Sequence, residues 1–170
     1  MAEGFDLERL YDSHAQALFA FVLQLTSDEA ETRDVLQEIF VRLARRPELL
    51  AGVRDERGFL LRLSRNLTID WVRRREARDR AHETTRVNLA EVFLPLTDPD
   101  EEAFRRALEV ALGTLPLEQR TVVYLKLWEG LTFDAIAETL EIPLNTAASR
   151  YRYALDKLRD QLRPLYDEIR

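Results

Sequence analysis

The sequence predicts an all-α protein made of two small helical domains joined by a linker. Apolar residues recur at intervals of three and four along most of the 170 residues, which is the period of a helix that buries one face. No stretch of useful length alternates apolar and polar residues as a half-exposed strand does. The periodicity lapses over residues 81–102, where prolines, threonines and acidic residues cluster. We therefore expect domains at 1–80 and 103–170, with 81–102 as the linker.

The first domain is expected to be a bundle of three or four helices. A first helix spans residues 7–25, and the oxygens of Thr26-Ser27-Asp28 begin the second. Pro47 ends that second helix, and residues 48–58 are predicted to form a loop. A third helix follows from about Phe59 to Arg75. Its predicted inward residues are Leu60, Leu63, Leu67 and either Trp71 or Val72.

The second domain is expected to contain a helix-turn-helix. Helical periodicity resumes at Ala103, and a further helix runs from Pro116 to Trp128 before Gly130. Thr132 can cap a short helix over 133–140. After a break at 141–144, Asn145 is predicted to cap a second helix over 146–158. The simpler alternative is an αα-hairpin within a bundle, with its arginines solvated.

Charge is unevenly distributed along a chain whose formal net charge is -6. Residues 54–80 contain nine arginines and five acidic residues, a local charge of +4, whereas both flanking parts are acidic. A basic segment in an acidic chain predicts contact with a polyanion such as nucleic acid. The alternative is an arginine-rich helix face that is only solvated.

Composition excludes several classes of function. The chain has no cysteine, and its two histidines, His14 and His82, are far apart, so the sequence offers no disulfide and no metal-ligand cluster. It also shows no nucleophile–base arrangement, carboxylate pair or glycine-rich phosphate loop, and we expect no catalytic residue, cofactor or metal. No apolar run approaches the ~18 residues that cross a bilayer, and residues 1–9 do not resemble a secretory signal. We expect a soluble cytoplasmic protein.

Two parts of the chain resemble the sigma-70 family of bacterial RNA polymerase sigma factors, in particular the extracytoplasmic function (ECF) type. Region 4 of that family is similar to residues 115–159, LPLEQRTVVYLKLWEGLTFDAIAETLEIPLNTAASRYRYALDKLR. Region 2 is similar to LYDSHAQALFAFVLQLTSDEAETRDVLQEIFVRLAR and RGFLLRLSRNLTIDWVRRR. The resemblance implies that the first domain is region 2, a helical bundle, and that the second is region 4, a helix-turn-helix.

The motif Asp34-x-x-Gln37-Glu38 lies on one polar face of the predicted second helix. In the family, this face docks on the clamp helices of the polymerase β′ subunit. The resemblance therefore implies the core-polymerase-binding residues Asp34, Gln37, Glu38 and Arg42. The alternative is a solvated face on which Glu38 and Arg42 form an i,i+4 ion pair worth about 0.3–0.5 kcal/mol.

The basic segment corresponds to the part of region 2 that captures the −10 promoter element as melted single strand. Arginines can follow phosphates, and Asn66 and Asp70 can hydrogen-bond exposed base edges. The implied −10 DNA-binding residues are Arg54, Arg57, Arg62, Arg65, Asn66, Asp70, Arg73 and Arg74. Alternatively, Asn66 and Asp70 are polar helix residues that bond locally. Trp71 is expected to pack within the bundle.

The second helix of the helix-turn-helix is expected to enter the major groove at the −35 element, N-terminus first. The resemblance implies −35 DNA-binding residues on its leading face, namely Asn145, Thr146, Ser149, Arg150, Arg152 and Tyr153. Family members often carry basic residues at the positions of Ala148 and Tyr153, so the family's −35 sequence does not transfer directly. Residues two apart diverge by about 200° around a helix, and we expect Tyr151 inward and Tyr153 toward DNA.

These observations together predict a non-enzymatic initiation factor of the ECF sigma type that directs core RNA polymerase to promoters. The implied partners are the β′ clamp helices and β flap of the polymerase, promoter DNA and an anti-sigma factor. The free chain is expected to be a monomer without membrane insertion. Two alternative functions are a stand-alone helix-turn-helix regulator with an N-terminal interaction bundle and a helical adaptor without DNA contact.

Overall fold

The computed structural model describes residues 6–79 and 99–168, and all regular structure within these ranges is helical. The elements are α1 (Leu7–Thr26), α2 (Glu29–Arg45), a 3₁₀ turn (Pro47–Leu50), α3 (Glu56–Asp79), α4 (Pro99–Thr114), α5 (Leu117–Leu127), α6 (Phe133–Leu140) and α7 (Leu144–Glu168). Within these ranges, α1 to α3 belong to one compact unit and α4 to α7 to a second. The predicted all-α fold class is confirmed. Among the described helices, none has both the length and the apolarity required to cross a bilayer.

The first unit is a bundle in which α1, α2 and α3 pack against one another. Its core contains side chains from all three helices that are almost completely buried, namely Phe21, Val22, Ile39, Leu43 and Leu60. The turn between α1 and α2 follows the prediction, since the Asp28 carboxylate accepts a hydrogen bond from the Glu31 amide at 2.8 Å. Ser27, just before it, ends α1 in the left-handed conformation, with φ of 58°.

Helix α3 begins at Glu56, three residues earlier than predicted. The Asp55 carboxylate accepts a hydrogen bond from the Gly58 amide at 3.0 Å and so caps the helix. Gly58, the last residue of the predicted loop, therefore lies in the first turn of α3. Part of the predicted loop is also ordered as the 3₁₀ turn. The helix then continues to Asp79, past the predicted end at Arg75.

The buried face of α3 also differs from the predicted row of leucines. Leu61 is buried and Leu63 only half-buried, and two polar residues, Ser64 and Thr68, are fully buried. Each hydroxyl donates a 2.7 Å hydrogen bond to the carbonyl four residues earlier. Because the helix itself satisfies these hydroxyls, they can face the core without an unpaired polar atom.

The second unit packs α4, α5 and α6 around the long helix α7. Its buried apolar cluster consists of Ala111, Leu112, Leu115, Val123, Ala154, Leu158 and Leu162. Gly130 separates α5 from α6 with φ of 66°, a conformation that glycine adopts without steric cost. Thr132 then caps α6 as predicted, since its hydroxyl accepts a hydrogen bond from the Ala135 amide at 3.2 Å.

Two helix starts in the second unit differ from prediction. Helix α4 begins at Pro99 rather than Ala103, as proline fits the first turn of a helix. The prediction that Asn145 caps the recognition helix is wrong, because α7 begins at Leu144 and Asn145 lies within its first turn. The Pro143 carbonyl accepts the first hydrogen bonds instead, from the amides of Thr146 and Ala147. Residues 81–98 of the predicted linker, including His82, lie outside the described residues.

Candidate nucleic-acid and protein interfaces

Helix α3 presents a polar face on the side opposite its buried residues. Arg62, Asn66, Asp70 and Arg73 follow one another at intervals of four, four and three, so they form one row along the helix. Asn66, Asp70 and Arg73 are exposed, and the guanidinium of the half-buried Arg62 lies 5.8 Å from the centre of the Phe59 ring. In this row, which we call the α3 stripe, two arginines flank an amide and a carboxylate that can hydrogen-bond bases.

The other predicted −10 residues surround the α3 stripe without lying in it. Arg54 and Arg57 are exposed near the start of the helix, and Arg74 is exposed on its flank. Arg65 is half-buried and donates a hydrogen bond of 3.1 Å to the Asn66 side-chain oxygen. The local bonding considered as an alternative for Asn66 is therefore present, but it uses only the amide oxygen. The amide nitrogen can donate to another partner.

An ion pair fixes the start of α3 to α1. Arg9 donates two hydrogen bonds to the Glu56 carboxylate, at 2.7 and 3.2 Å, and His14 Nε2 lies 3.7 Å from the same carboxylate. The hydrogen bond from Arg9 lowers the pKa of Glu56, against the opposing effect of burial. The sequence does not predict this contact, because helical periodicity indicates which face of a helix is buried but not which distant residue meets it.

We expect the first unit to lose the stabilisation from this ion pair in acid. Arg9 holds the pKa of Glu56 below its ordinary value of 4.5, so the stabilisation is present above that value and is lost as pH falls through the lower, folded-state pKa. Urea unfolding can be measured between about pH 7 and pH 3 by Trp71 fluorescence in a Trp128→Phe background. The free energy of unfolding of the parent should exceed that of Glu56→Gln at neutral pH, and this difference should shrink in acid. Glu76→Gln, an exposed carboxylate on α3, is the control. A difference in free energy of unfolding that stays constant to pH 3 would contradict a stabilising role for the ion pair.

The predicted polymerase-binding residues lie together on α2. Asp34, Gln37 and Glu38 are exposed, while Arg42 is half-buried. Arg42 Nη2 lies 3.1 Å from Glu38 Oε1, so the i,i+4 ion pair considered as the alternative is formed. We call these four residues the α2 face.

An apolar groove of about 570 Å³ lies between α1 and α2, beside the α2 face. Gln37 lines it together with aromatic and aliphatic side chains that include Tyr11, Phe19, Phe40 and Val41. Tyr11 is 52% exposed, and its ring centre lies 4.8 Å from that of Phe40. The sequence does not predict this groove, because the spacing of apolar residues within each helix does not show where the surfaces of α1 and α2 separate.

The exposed face of α7 carries most of the predicted −35 residues. Asn145, Ser149 and Arg152 are spaced by four and three and so share one face, on which Ser149 is half-buried. Thr146 is half-buried beside them, and its carbonyl accepts a hydrogen bond from the Ser149 hydroxyl at 3.1 Å. Tyr153 is 53% exposed, with the Arg152 guanidinium 5.2 Å from its ring centre.

The predicted directions of the two neighbouring tyrosines can be compared with the packing of α7. Tyr151 is half-buried and meets Phe133 edge to face, with ring centres 5.4 Å apart. Its predicted inward direction is confirmed. Tyr153 points to solvent, so its contact with DNA stays a prediction.

Arg150 differs from the other predicted −35 residues. Its Nη1 atom lies 3.0 Å from Glu118 Oε2, in the first turn of α5, and its side chain is only 27% exposed. Arg150 therefore lies on the flank of α7 that faces α5, apart from the row formed by Asn145, Ser149 and Arg152. The sequence predicts a role for Arg150 but not its contact with Glu118, since the two residues meet only when α5 and α7 pack together.

A helix-turn-helix in one unit and an exposed basic helix in the other define a DNA-binding transcription protein. Comparison with known families makes this class specific. Sigma-70 region 2 matches residues 10–78, and sigma-70 region 4 matches residues 105–158. The chain is 34% identical over 166 residues to the ECF RNA polymerase sigma factor SigL of Mycobacterium tuberculosis, covering 96% of this chain and 93% of the relative. The chain belongs to the ECF group of the sigma-70 family.

Further relatives agree with this assignment. SigX of Bacillus subtilis, also an ECF sigma factor, is 28% identical over 174 residues, covering 99% of this chain and 89% of the relative. The fold is similar to that of RpoE from Bartonella quintana, crystallised with the anti-sigma factor NepR, with a TM-score of 0.73 at 19% identity over 92% of this chain and 96% of that one. The protein is thus a non-enzymatic initiation factor that directs RNA polymerase to promoters, as predicted.

Proposed function

We propose that the two units of this sigma factor read separate promoter elements while α2 holds the polymerase. The α3 stripe binds the melted −10 strand, and the exposed face of α7 reads the −35 duplex. The observation that carries the proposal is the α3 stripe itself, in which Asn66 and Asp70 lie between Arg62 and Arg73 on the face of α3 opposite its buried residues.

The chemistry of the α3 stripe suits an opened DNA strand. Melting costs pairing and stacking energy, and a factor that hydrolyses no nucleotide must offset that cost by binding the separated strand. Arg62 and Arg73 can pair with phosphates, while the Asn66 amide nitrogen and the Asp70 carboxylate can bond base edges that pairing would otherwise hide. The exposed Arg54, Arg57 and Arg74 extend the positive field beyond the stripe, and Arg65 orients Asn66 through their hydrogen bond.

The exposed face of α7 suits the major groove of duplex DNA. Asn145 lies in the first turn, the part of a recognition helix that reaches deepest into the groove. Asn145, Ser149 and Arg152 can contact base edges, while Thr146, Arg150 and Tyr153 are placed for the flanking backbone. Helix α6 and the buried half of α7 hold this face in place.

The α2 face is proposed to dock on the β′ clamp helices of core polymerase. Two carboxylates and an amide, Asp34, Glu38 and Gln37, can bond arginines of a partner helix. The adjoining groove adds apolar area, including the exposed ring of Tyr11, next to Gln37. A polar face beside an apolar groove is the composition of an interface core with its rim.

Further partners follow from the family. Region 4 is proposed to contact the β flap of the polymerase. The complex of the Bartonella RpoE with NepR supports an anti-sigma partner for this chain as well. The free factor is proposed to be a cytoplasmic monomer.

In vitro transcription with a bacterial core polymerase and a randomised promoter library tests the proposal. The parent protein should select two separate sequence elements. The double variant Asn66→Ala/Asp70→Ala should relax the −10 element only, and Asn145→Ala/Ser149→Ala should relax the −35 element only, since each pair lies in a different unit. Selection of duplex DNA by the free chain as strongly as by the holoenzyme would instead favour a stand-alone regulator.

A further inference from the structure

The contact between α5 and α7 places a carboxylate on one of the predicted DNA-binding arginines. Glu118 Oε2 lies 3.0 Å from Arg150 Nη1, and their side chains are 38% and 27% exposed. The pair joins the first turn of α5 to the second turn of α7. It therefore lies beside the N-terminal half of the recognition helix, where the DNA backbone passes when such a helix enters the major groove.

A guanidinium whose charge is already compensated by a carboxylate is a weaker ligand for phosphate, and Glu118 forms an ion pair with Arg150 without a hydrogen bond to its buried Nη1 atom. Arginine binds carboxylates and phosphates through the same planar set of N–H donors. A DNA phosphate must displace Glu118 or share Arg150 with it, and in either case the two anions repel each other. Asn145, Ser149 and Arg152, on the neighbouring face, are not subject to this competition.

We propose that Glu118 competes with DNA phosphate for Arg150, so that the second unit makes one phosphate contact fewer with DNA than α7 would make without Glu118. This inference rests on the proposed −35 role of α7. The competition acts on the sequence-independent part of the affinity, because phosphate contacts carry no base information. Glu118 consequently weakens binding to random duplex and to a −35 duplex by about the same factor, because both include this phosphate contact and only base readout by Asn145 and Arg152 distinguishes them.

Glu118→Gln in the full chain tests the competition. The substitution keeps the size of the side chain and removes its charge, which releases Arg150. At roughly 0.1 M salt, the affinity for random-sequence duplex should rise by up to about eightfold, and the log–log salt dependence should steepen by about 0.9, the value for one added phosphate contact. Fluorescence anisotropy with a labelled duplex between about 0.05 and 0.3 M salt measures both quantities.

The double variant with Arg150→Ala separates competition from simple repulsion. If Glu118 acts through Arg150, then Glu118→Gln should leave the affinity unchanged in the Arg150→Ala background. Glu138→Gln removes the same charge from an exposed position on α6, and it should reproduce neither the rise in affinity nor the steeper salt dependence.

Several outcomes would overturn the inference. Weaker binding by Glu118→Gln would mean that Glu118 presents Arg150 to DNA rather than withholding it. An equal gain in the Arg150→Ala background would mean that the charge of Glu118 acts on DNA directly. If the salt dependence of Glu118→Gln is unchanged while the holoenzyme still selects a −35 element, only this inference fails. If the holoenzyme selects no −35 element, the proposed role of α7 fails with it.

Discussion

Glu38→Lys is expected to lower the affinity of the factor for core polymerase by roughly thirtyfold, which corresponds to about 2 kcal/mol. Glu38 is exposed at the centre of the α2 face, where the proposed partner helix supplies arginines. The reversal of charge removes one attraction and creates a repulsion in the same place. Since the side chain is exposed, the fold of the first unit should not change. Titration of labelled factor with core polymerase measures the loss.

A charge swap on α2 distinguishes docking from local helix stabilisation. In Glu38→Lys/Arg42→Glu, the i,i+4 ion pair seen at 3.1 Å can form again with its ends exchanged. If the carboxylate of Glu38 binds the polymerase, the swapped variant should remain defective. Recovery of parental affinity in the swapped variant would mean that the pair serves only the helix.

Ala147→Leu is expected to destabilise the second unit by about 1–3 kcal/mol, and thereby to weaken −35 recognition. Ala147 is completely buried where α7 begins to pack against the rest of the helix-turn-helix, so three added carbon atoms have no space. A unit of this size has only about 3–10 kcal/mol of total stability. Thermal unfolding followed by Trp128 fluorescence, in a Trp71→Phe background, measures the change.

Two comparisons make the Ala147 result specific. Ala103→Leu places the same side chain at an exposed position of α4, where it should have little effect. Binding of Ala147→Leu to core polymerase should weaken only by the share that the second unit contributes, because the α2 face lies in the other unit. Loss of the folded first unit together with the second would contradict their independence.

Helical periodicity predicted the helices well but placed several of their ends wrongly. The sequence predicts a loop where α3 has its first turn, because glycine, here Gly58, is typical of loops. In the structure the Asp55 carboxylate caps α3 ahead of Gly58. Asn145 was assigned as a cap because of its residue type, although the carbonyl of Pro143 accepts the first hydrogen bonds. The end of a helix depends on which of several possible capping hydrogen bonds forms, and the pattern of apolar residues does not indicate which one it is.

Within the candidate sites, features of a single helix could be predicted from the sequence, whereas contacts between helices could not. The residues of the α3 stripe and the α2 face could be named before folding because the resemblance to the sigma-70 family implies them, and spacing along one helix then fixes which of them share a face. The ion pairs of Arg9 with Glu56 and of Arg150 with Glu118 could not, since each joins helices that meet only after folding. The apolar groove was missed for the same reason, because it belongs to the space between α1 and α2 and to neither helix alone.

Helix α7 is 25 residues long, or about 37 Å at 1.5 Å per residue. The residues that anchor it, among them Ala154, Leu158 and Leu162, are buried mainly in its later turns, whereas Asn145, Ser149 and Arg152 occupy its earlier, outward side. Substitutions on that side leave the anchoring residues untouched. If α7 reads the −35 element as proposed, a lineage of such factors can therefore acquire new promoter preferences by changing a few outward residues of α7, while the thermodynamic cost of each change stays small.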